Sequence, residues 1–331
     1  MWKMVGTSVQ GRSHIKNNIP VQDQIFYKKG TVNIIALADG AGSSKLSHFG
    51  AQTVVESICD LLYEQFDYFY ELHNVEMAQQ LVLSKLLENL HQLANLHNEE
   101  LKEFASTLLC VAIKDEKILI FHLGDGEIGA IKHNEIVSLS SGMNSEFANA
   151  TYFVTSSNAV NKLKLFKSKN DGKFSSFFLM SDGSAMSLYS KRTQSFSQVI
   201  KNICTQSKVI SEQSMNEMLE ESFTQFVRMK TLDDCSFVAM THVKSPNNPY
   251  ESLSQLDKQF LLEGFSEKKH CSVNKMDKII AQLTEPLTVN TLAKCLHINK
   301  KYLKSTVNIL KALQIIQQKN QFYIIRNGVK E

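Results

Sequence analysis

Three times in this chain an apolar run ends in Asp-Gly: IIALAD-G at Asp39-Gly40, LIFHLGD-G at Asp125-Gly126 and FFLMSD-G at Asp182-Gly183. An acidic pair, Asp233-Asp234, directly precedes the run CSFVAM, and Asp23 sits ahead of another strand in PVQDQIFY. One Asp-Gly at a strand end is ordinary turn chemistry. Repetition points elsewhere. Strand ends gathered at one sheet edge would crowd carboxylates that repel one another unless cations neutralise them. Hard divalent ions such as Mg²⁺ and Mn²⁺ take oxygen ligands of this kind. A glycine after each Asp lets the backbone turn sharply and approach the ion. The chemistry open to such a centre is a bridging water made nucleophilic and a phosphoryl group oriented by two ions.

The elements that must position these carboxylates are readable. VNIIALADG, STLLCVAIK, KILIFHLGDG, SSFFLMSDG and CSFVAMTHV are short apolar or alternating runs, which predict buried strands. Helical spacing of apolar residues covers Phe49 to Phe66, Val75 to Leu96 and roughly Val209 to Phe226. The sequence STLLCVAI-KDEK-ILIFHLG reads as a hairpin. Such short connections favour an antiparallel α+β layered fold over a doubly wound parallel sheet.

At 331 residues the chain has room for about two domains. With 43% hydrophobic and 21% charged residues it reads as a soluble globular protein with a sizeable core. No apolar run approaches the ~18 residues that span a bilayer, and MWKMVGTSVQ has no signal-peptide segment. The expected location is the cytoplasm, without membrane contact. The six cysteines are scattered and form no C-x-x-C pair, which argues against a zinc ribbon or a disulfide framework. The net charge of +3 hides an asymmetry: residues 271–331 carry ten Lys/Arg against three Asp/Glu, so +7, leaving −4 for the rest. Two of the four prolines fall in VKSPNNPYESLSQ, residues 243–255, which reads as a linker. The expected organisation is a domain at 1–242, a linker at 243–272 with a short helix from about Leu256 to Gly264, and a second domain at 273–331.

The order of the acidic motifs resembles the type 2C protein phosphatase family, the metal-dependent (PPM-type) Ser/Thr phosphatases, over about residues 1–242. The early acidic motif is Gln22-Asp23, and D-G-x-G is Asp39-Gly40-Ala41-Gly42. The small-Ser-Thr strand start is Ala105-Ser106-Thr107. Gly124-Asp125-Gly126-Glu127, Ser181-Asp182-Gly183 and Asp233-Asp234-Cys235-Ser236 complete the set. The resemblance implies a four-layer αββα sandwich of two antiparallel sheets flanked by helices. It implies two Mn²⁺ or Mg²⁺ ions. Asp39 would bridge both, the Gly40 carbonyl would hold the second, and Asp182 and Asp233 the first. Asp23 would hold metal-bound water, which together with Asp39 makes the catalytic pair. Asp125 would serve a weaker third position. The implied reaction is direct attack of metal-bound hydroxide on phosphoserine or phosphothreonine of a protein, a Ser/Thr kinase or its target being the natural partner.

The sequence departs from the family at four places. Gln22 replaces Glu, Ala41 replaces His, Met186 replaces an Asp, and Asn18 stands where a phosphate-binding Arg is expected. Arg12 or His14, in GRSHIKNN, is the candidate phosphate ligand instead. These departures keep an alternative open: a catalytically weak phosphatase-fold scaffold or sensor. Ser43, Ser44 and His48 lie at a helix start, which they would cap. His122 reads as a core histidine, and Glu127 as a carboxylate facing solvent or the site.

Residues 273–331 carry their own pattern. Val273 to Leu283, Val289 to Leu296 and Lys300 to Leu313 read as three helices, and QIIQQ-KN-QFYIIRN as a hairpin turning at Lys319-Asn320. This resembles a winged helix, with helix-turn-helix geometry in the second and third helices. A DNA reading would use Lys300, Lys301, Lys304 and Lys319 on phosphates, with Arg326 the one arginine. A protein-interaction surface is the other reading.

Overall fold

A computed structural model describes residues 1–142, 151–244, 249–263, 265 and 271–325. Parts of the expected linker (245–248, 264, 266–270) and Arg326 lie outside the described residues. In chain order the elements are β1 (Trp2–Val9), α1 (Arg12–Asn17), β2 (Gln24–Lys28), β3 (Asn33–Ala38), α2 (Ser47–Glu71), α3 (Val75–His97), β4 (Leu108–Lys114), β5 (Lys117–Leu123), β6 (Glu127–Lys132) and β7 (Glu135–Ser141). There follow α4 (Ala159–Lys162), β8 (Lys164–Lys169), β9 (Phe174–Met180), α5 (Asp182–Leu188), β10 (Tyr189–Ser190), β11 (Ser195–Phe196), α6 (Gln198–Val209), α7 (Glu212–Ser222) and β12 (Cys235–His242). The chain closes with α8 (Gln255–Glu263), α9 (Val273–Gln282), β13 (Leu287–Thr288), α10 (Val289–Leu296), α11 (Lys300–Ala312), β14 (Ile316–Lys319) and β15 (Phe322–Ile325).

These elements group into two compact units. The larger is Trp2–Ile200 with Asn216–Thr241. It holds two five-stranded sheets, ordered β1-β12-β9-β6-β7 and β2-β3-β4-β5-β8, antiparallel in every registered pair. Period-two alternation builds the layers. On β3, Ile35 and Leu37 join Leu109, Val111, Ile128, Phe177, Leu179 and Val238 in a core between the sheets. Ile34, Ala36 and Ala38 point the other way, onto α2 and α3. The buried stripe Ala51, Val54, Val55, Ile58, Leu62, Phe66, Phe69 gives α2 its sheet-facing side. Each of the larger side chains in that stripe contributes about 1.5–3 kcal/mol. The Asn74 side chain caps α3 by accepting from the Met77 N–H at 3.0 Å. The predicted hairpin is β4–β5, with Lys114 opposite Lys117 and Asp115 in the left-handed region (φ 52°).

One expectation fails here. Ser43 and Ser44 do not cap α2; Leu46 holds that position without a side-chain hydrogen bond. Ser44 Oγ instead donates to the Lys102 carbonyl at 2.9 Å, tying the loop to the segment before β4.

The smaller unit takes in Met1, Lys201–Met215 and His242–Glu331. The segment 201–215 belongs with it through side chains: Lys208 pairs with Asp257 at 3.0 Å, the Ser211 N–H donates to Gln314 Oε1 at 3.1 Å, and Lys201 Nζ sits 4.2 Å from the centre of the Phe260 ring. Around Asp277, Tyr250 and Lys258 both donate to Oδ1, at 3.0 and 2.9 Å. Thr288 caps α10 and Asn299 caps α11. His297 at φ 51° makes the turn between them. The sheet order is β13-β15-β14. Lys319 pairs with Phe322, so the hairpin turns at Asn320–Gln321, one residue later than expected, because Asn320 takes the left-handed conformation (φ 56°). Among the described residues no helix is long and apolar enough to cross a membrane.

Candidate active site

The carboxylates sit where strands stop. Asp39 follows β3 directly. Its N–H donates to Thr107 Oγ1 at 2.8 Å, and the Thr107 N–H donates back to the Asp39 carbonyl at 2.8 Å. This gives the Ala-Ser-Thr motif a physical role: it fixes the aspartate's backbone. Gly40 pairs with Ser106. A Cβ on Gly40 would lie 2.8 Å from the Gln22 carbonyl, so only glycine permits this approach. Asp182 opens α5 just after β9. The Ser181 N–H donates to the Ser236 carbonyl and the Ser236 N–H to Ser181 Oγ, both at 3.1 Å. That clasp sets Asp182 beside Asp233 and Asp234 at the start of β12. A Cβ on Gly183 would overlap the Asp234 carbonyl oxygen. Asp125 follows β5, and its Oδ2 accepts from Thr151 Oγ1 at 2.5 Å.

Each carboxylate feels the others. Burial pushes the Asp39 carboxyl well above the usual range, and Asp23, Asp182, Asp233 and Asp125 push it further. Asp182 is pushed up to about 6, by burial first and then by Asp125 and Asp233. Asp23 is raised by burial and by Asp234, against hydrogen bonds from Ser236 and Ser181 that favour its anion. So Asp23, Asp39, Asp125, Asp182 and Asp233 share one electrostatic neighbourhood. Asp23 Oδ2 and Asp182 Oδ1 are buried without a hydrogen-bond partner. Anionic oxygens that are crowded, desolvated and unpartnered fit a hard divalent cation. Among the described residues, no three of these side chains yet stand close enough together to grip an ion.

The sequence marks Asp234 as half of an acidic pair but gives no sign that it organises the edge of the site. Buried at 1% exposure, its Oδ1 accepts from the Gly11 N–H at 2.6 Å and meets His14 Nδ1 at 2.8 Å. Its Oδ2 accepts from the Gln22 N–H at 2.6 Å. One carboxylate thus fixes both α1 and the segment carrying Asp23. Asp234→Ala leaves these donors buried and unpaired, so we expect a loss of about 3–5 kcal/mol of stability. Denaturant unfolding measures it, and a loss below about 1 kcal/mol would contradict this role.

The remaining candidates divide. Arg12 is exposed on α1, and its Nε donates to the Thr231 carbonyl at 2.9 Å, two residues from Asp233. His14 is buried between Asp233 and Asp234. Gln22, in place of a carboxylate, donates Nε2 to Ser47 Oγ at 2.7 Å. Ala41 is buried and Met186 is 68% exposed. His122 is buried on β5 against Ser140 Oγ at 2.6 Å. Glu127 is buried, not solvent-facing, and burial pushes it up to about 7. In the smaller unit Lys300, Lys301 and Lys304 are exposed on α11, and Lys319 is exposed at the end of β14.

A family model described as Protein phosphatase 2C matches residues 10–223. The protein named serine/threonine-protein phosphatase 3 of Escherichia coli (strain K12) is 27% identical over 173 residues, which cover 50% of this chain and 68% of that protein. Two solved structures share the fold. A bacterial serine phosphatase is 15% identical with a TM-score of 0.51, the match covering 73% of this chain and 98% of its own. The serine/threonine phosphatase of S. agalactiae is 16% identical with a TM-score of 0.51, covering 73% and 99%.

Proposed function

Since the chain belongs to the protein phosphatase 2C family, we propose that it is a metal-dependent phosphoprotein phosphatase acting on phosphoserine and phosphothreonine. The observation that carries this reading is the mutual perturbation of Asp39, Asp182 and their neighbours at the strand ends. Asp39 and the Gly40 carbonyl, with Asp182 and Asp233, are the residues to hold two Mn²⁺ or Mg²⁺ ions, and Asp125 a weaker third. When bound, such ions neutralise a phosphoryl group's charge and lower the pKa of water. Asp23, buried directly ahead of β2, orients the attacking water. Arg12 stands at the rim to pair with the phosphate. Ala41 offers no proton, so the leaving oxygen takes one from solvent. A phosphorylated protein, such as a Ser/Thr kinase or its target, is the fitting substrate.

The test is phosphate release from phosphothreonine, phosphoserine and phosphotyrosine peptides with Mn²⁺. The expected result is release from the first two. Mn²⁺ binding without release from any peptide would favour the alternative, a phosphoprotein-binding scaffold.

A second reading concerns the smaller unit. On α11, Lys301, Lys304, Asn308 and Lys311 form one exposed stripe at i, i+3, i+7, i+10, opposite buried Leu303, Val307 and Leu310. The helix carries no acidic residue. Lysines in a row on a free helix face suit a duplex phosphate backbone. We expect the full chain to bind random-sequence duplex DNA at low salt, with log K falling about fourfold as fast as log salt rises, as for four or five phosphate contacts. Lys301→Glu with Lys304→Glu should abolish the shift in a gel assay. Unchanged binding by that variant, or none by the wild type, removes this reading.

A further inference from the structure

We propose that Met186, Met229 and Leu232 form an apolar shelf at the rim of the carboxylate site. The shelf takes a large apolar side chain of the phosphoprotein substrate, next to its phosphorylated residue. The inference rests on the reading of the chain as a phosphoprotein phosphatase and adds a substrate class to it. Single exposed apolar residues are normal on a protein surface, whereas several together mark a binding site. Met186 is 68% exposed, Leu232 62% and Met229 54%. They stand on segments bound to one another and to the site. Met186 lies four residues after Asp182 on α5, so it shares that carboxylate's side of the helix, about 6 Å along the axis. Helix α5 packs against Arg228–Lys230, the 3₁₀ turn that carries Met229. Leu232 directly precedes Asp233, and its carbonyl accepts from the Ser13 N–H at 2.9 Å. Ahead of Met229 the chain makes a π turn, Phe223–Val227, a geometry frequent at functional sites. That turn leaves Phe226 exposed as well.

The charge around the shelf defines its occupant. Neither α1 nor residues 223–230 hold an acidic residue, and both carry exposed cations: Arg12 and Lys16 on α1, and Lys230. The Arg12 Nε donates to the Thr231 carbonyl at 2.9 Å, which fixes the guanidinium next to Leu232. A surface both cationic and apolar suits a ligand both anionic and apolar. A phosphoserine or phosphothreonine flanked by Leu, Ile, Met or Phe has that chemistry. Its phosphate faces Arg12 and the carboxylate site, and its apolar neighbour lies on the shelf. An extended peptide advances about 3.4 Å per residue. The one helical turn from Asp182 to Met186 is therefore spanned by about two residues of substrate. The apolar residue sits within that distance of the phosphorylated one. At Met186, where the sequence departs from its family, a charge is exchanged for apolar contact with substrate.

Steady-state kinetics of the full chain with Mn²⁺ tests this on two matched phosphothreonine peptides, one with Leu and one with Ser at the two positions on either side. We expect kcat/KM to be about tenfold higher for the Leu peptide, the discrimination that an apolar contact of this size gives. In Met186→Ser combined with Met229→Ser the ratio should fall to about twofold or less. The wild-type ratio does not depend on any variant folding. A wild-type ratio near one overturns the inference and leaves the phosphatase reading intact, as does a ratio that persists in the folded double variant. Self-association of the wild type that the double variant abolishes, without a peptide preference, puts a second copy of the chain on the shelf and overturns the inference too. Failure to hydrolyse either peptide or p-nitrophenyl phosphate at saturating Mn²⁺ removes the phosphatase reading, and this inference with it.

Discussion

Asp39→Asn will abolish metal-dependent phosphate release and at the same time raise the melting temperature of the metal-free protein. The two effects have one cause. Asp39 is the carboxylate most surrounded by others: burial pushes its pKa up first, then Asp23, Asp182, Asp233 and Asp125. In the absence of a cation its charge is a liability, and removing it relieves repulsion. An asparagine keeps the shape of the side chain without its charge. With ions bound, the same charge is the central ligand. Its loss removes several kcal/mol of transition-state stabilisation, about 10³-fold or more in kcat/KM. Phosphate-release kinetics and calorimetric melting of chelator-treated protein check the two halves. A variant that hydrolyses at the wild-type rate, or a metal-free variant less stable than wild type, would contradict the account.

The second large effect is a pH dependence that metal reverses. Asp182 titrates near 6 in the folded chain against 3.8 for an unperturbed aspartate. Between those values the folded state binds more protons than the unfolded one. Stability therefore falls as pH rises through that window. A shift of this size on one group is worth about 3 kcal/mol, gained below pH 4 and lost above pH 6. Asp39 and Asp23 are shifted in the same direction by the same causes. Divalent ions compete with these protons for the same oxygens. Mn²⁺ should raise the melting temperature much more at pH 7.5 than at pH 5. An equal or larger shift at pH 5 would rule out these carboxylates as the ligands.

The parts of the site that were legible from sequence are those whose signal is local. An apolar run followed by Asp-Gly announces a strand end within about ten residues, and β3, β5 and β9 stop there. Asp39, Asp125 and Asp182 are legible as strand-end residues for that reason. Asp234 stands out as half of an acidic pair, but its role does not, because its partners Gly11, His14 and Gln22 lie more than 200 positions away. Only the folded chain brings them together. The motif around Thr107 was visible, but its two hydrogen bonds to Asp39 were not. Glu127 illustrates a different limit. Two residues after Asp125, it reads equally as facing solvent or the site, and β6 buries its carboxylate away from water. The place of Ser44 before a helix suggests a cap, but its hydroxyl donates to the Lys102 carbonyl instead. In the smaller unit, helices and hairpin followed from periodicity, whereas the association of Lys201–Met215 with it depends on ion pairs and rings far apart in sequence.

The central claim is that carboxylates gathered at strand ends make a metal-activated phosphatase. It is tested most directly by phosphate release from a phosphothreonine peptide, using the full chain stripped of metal by chelation and then titrated with Mn²⁺. The account predicts no release before Mn²⁺ is added and a saturable rise afterwards. Equal release with and without Mn²⁺, or none at saturating Mn²⁺, would contradict it.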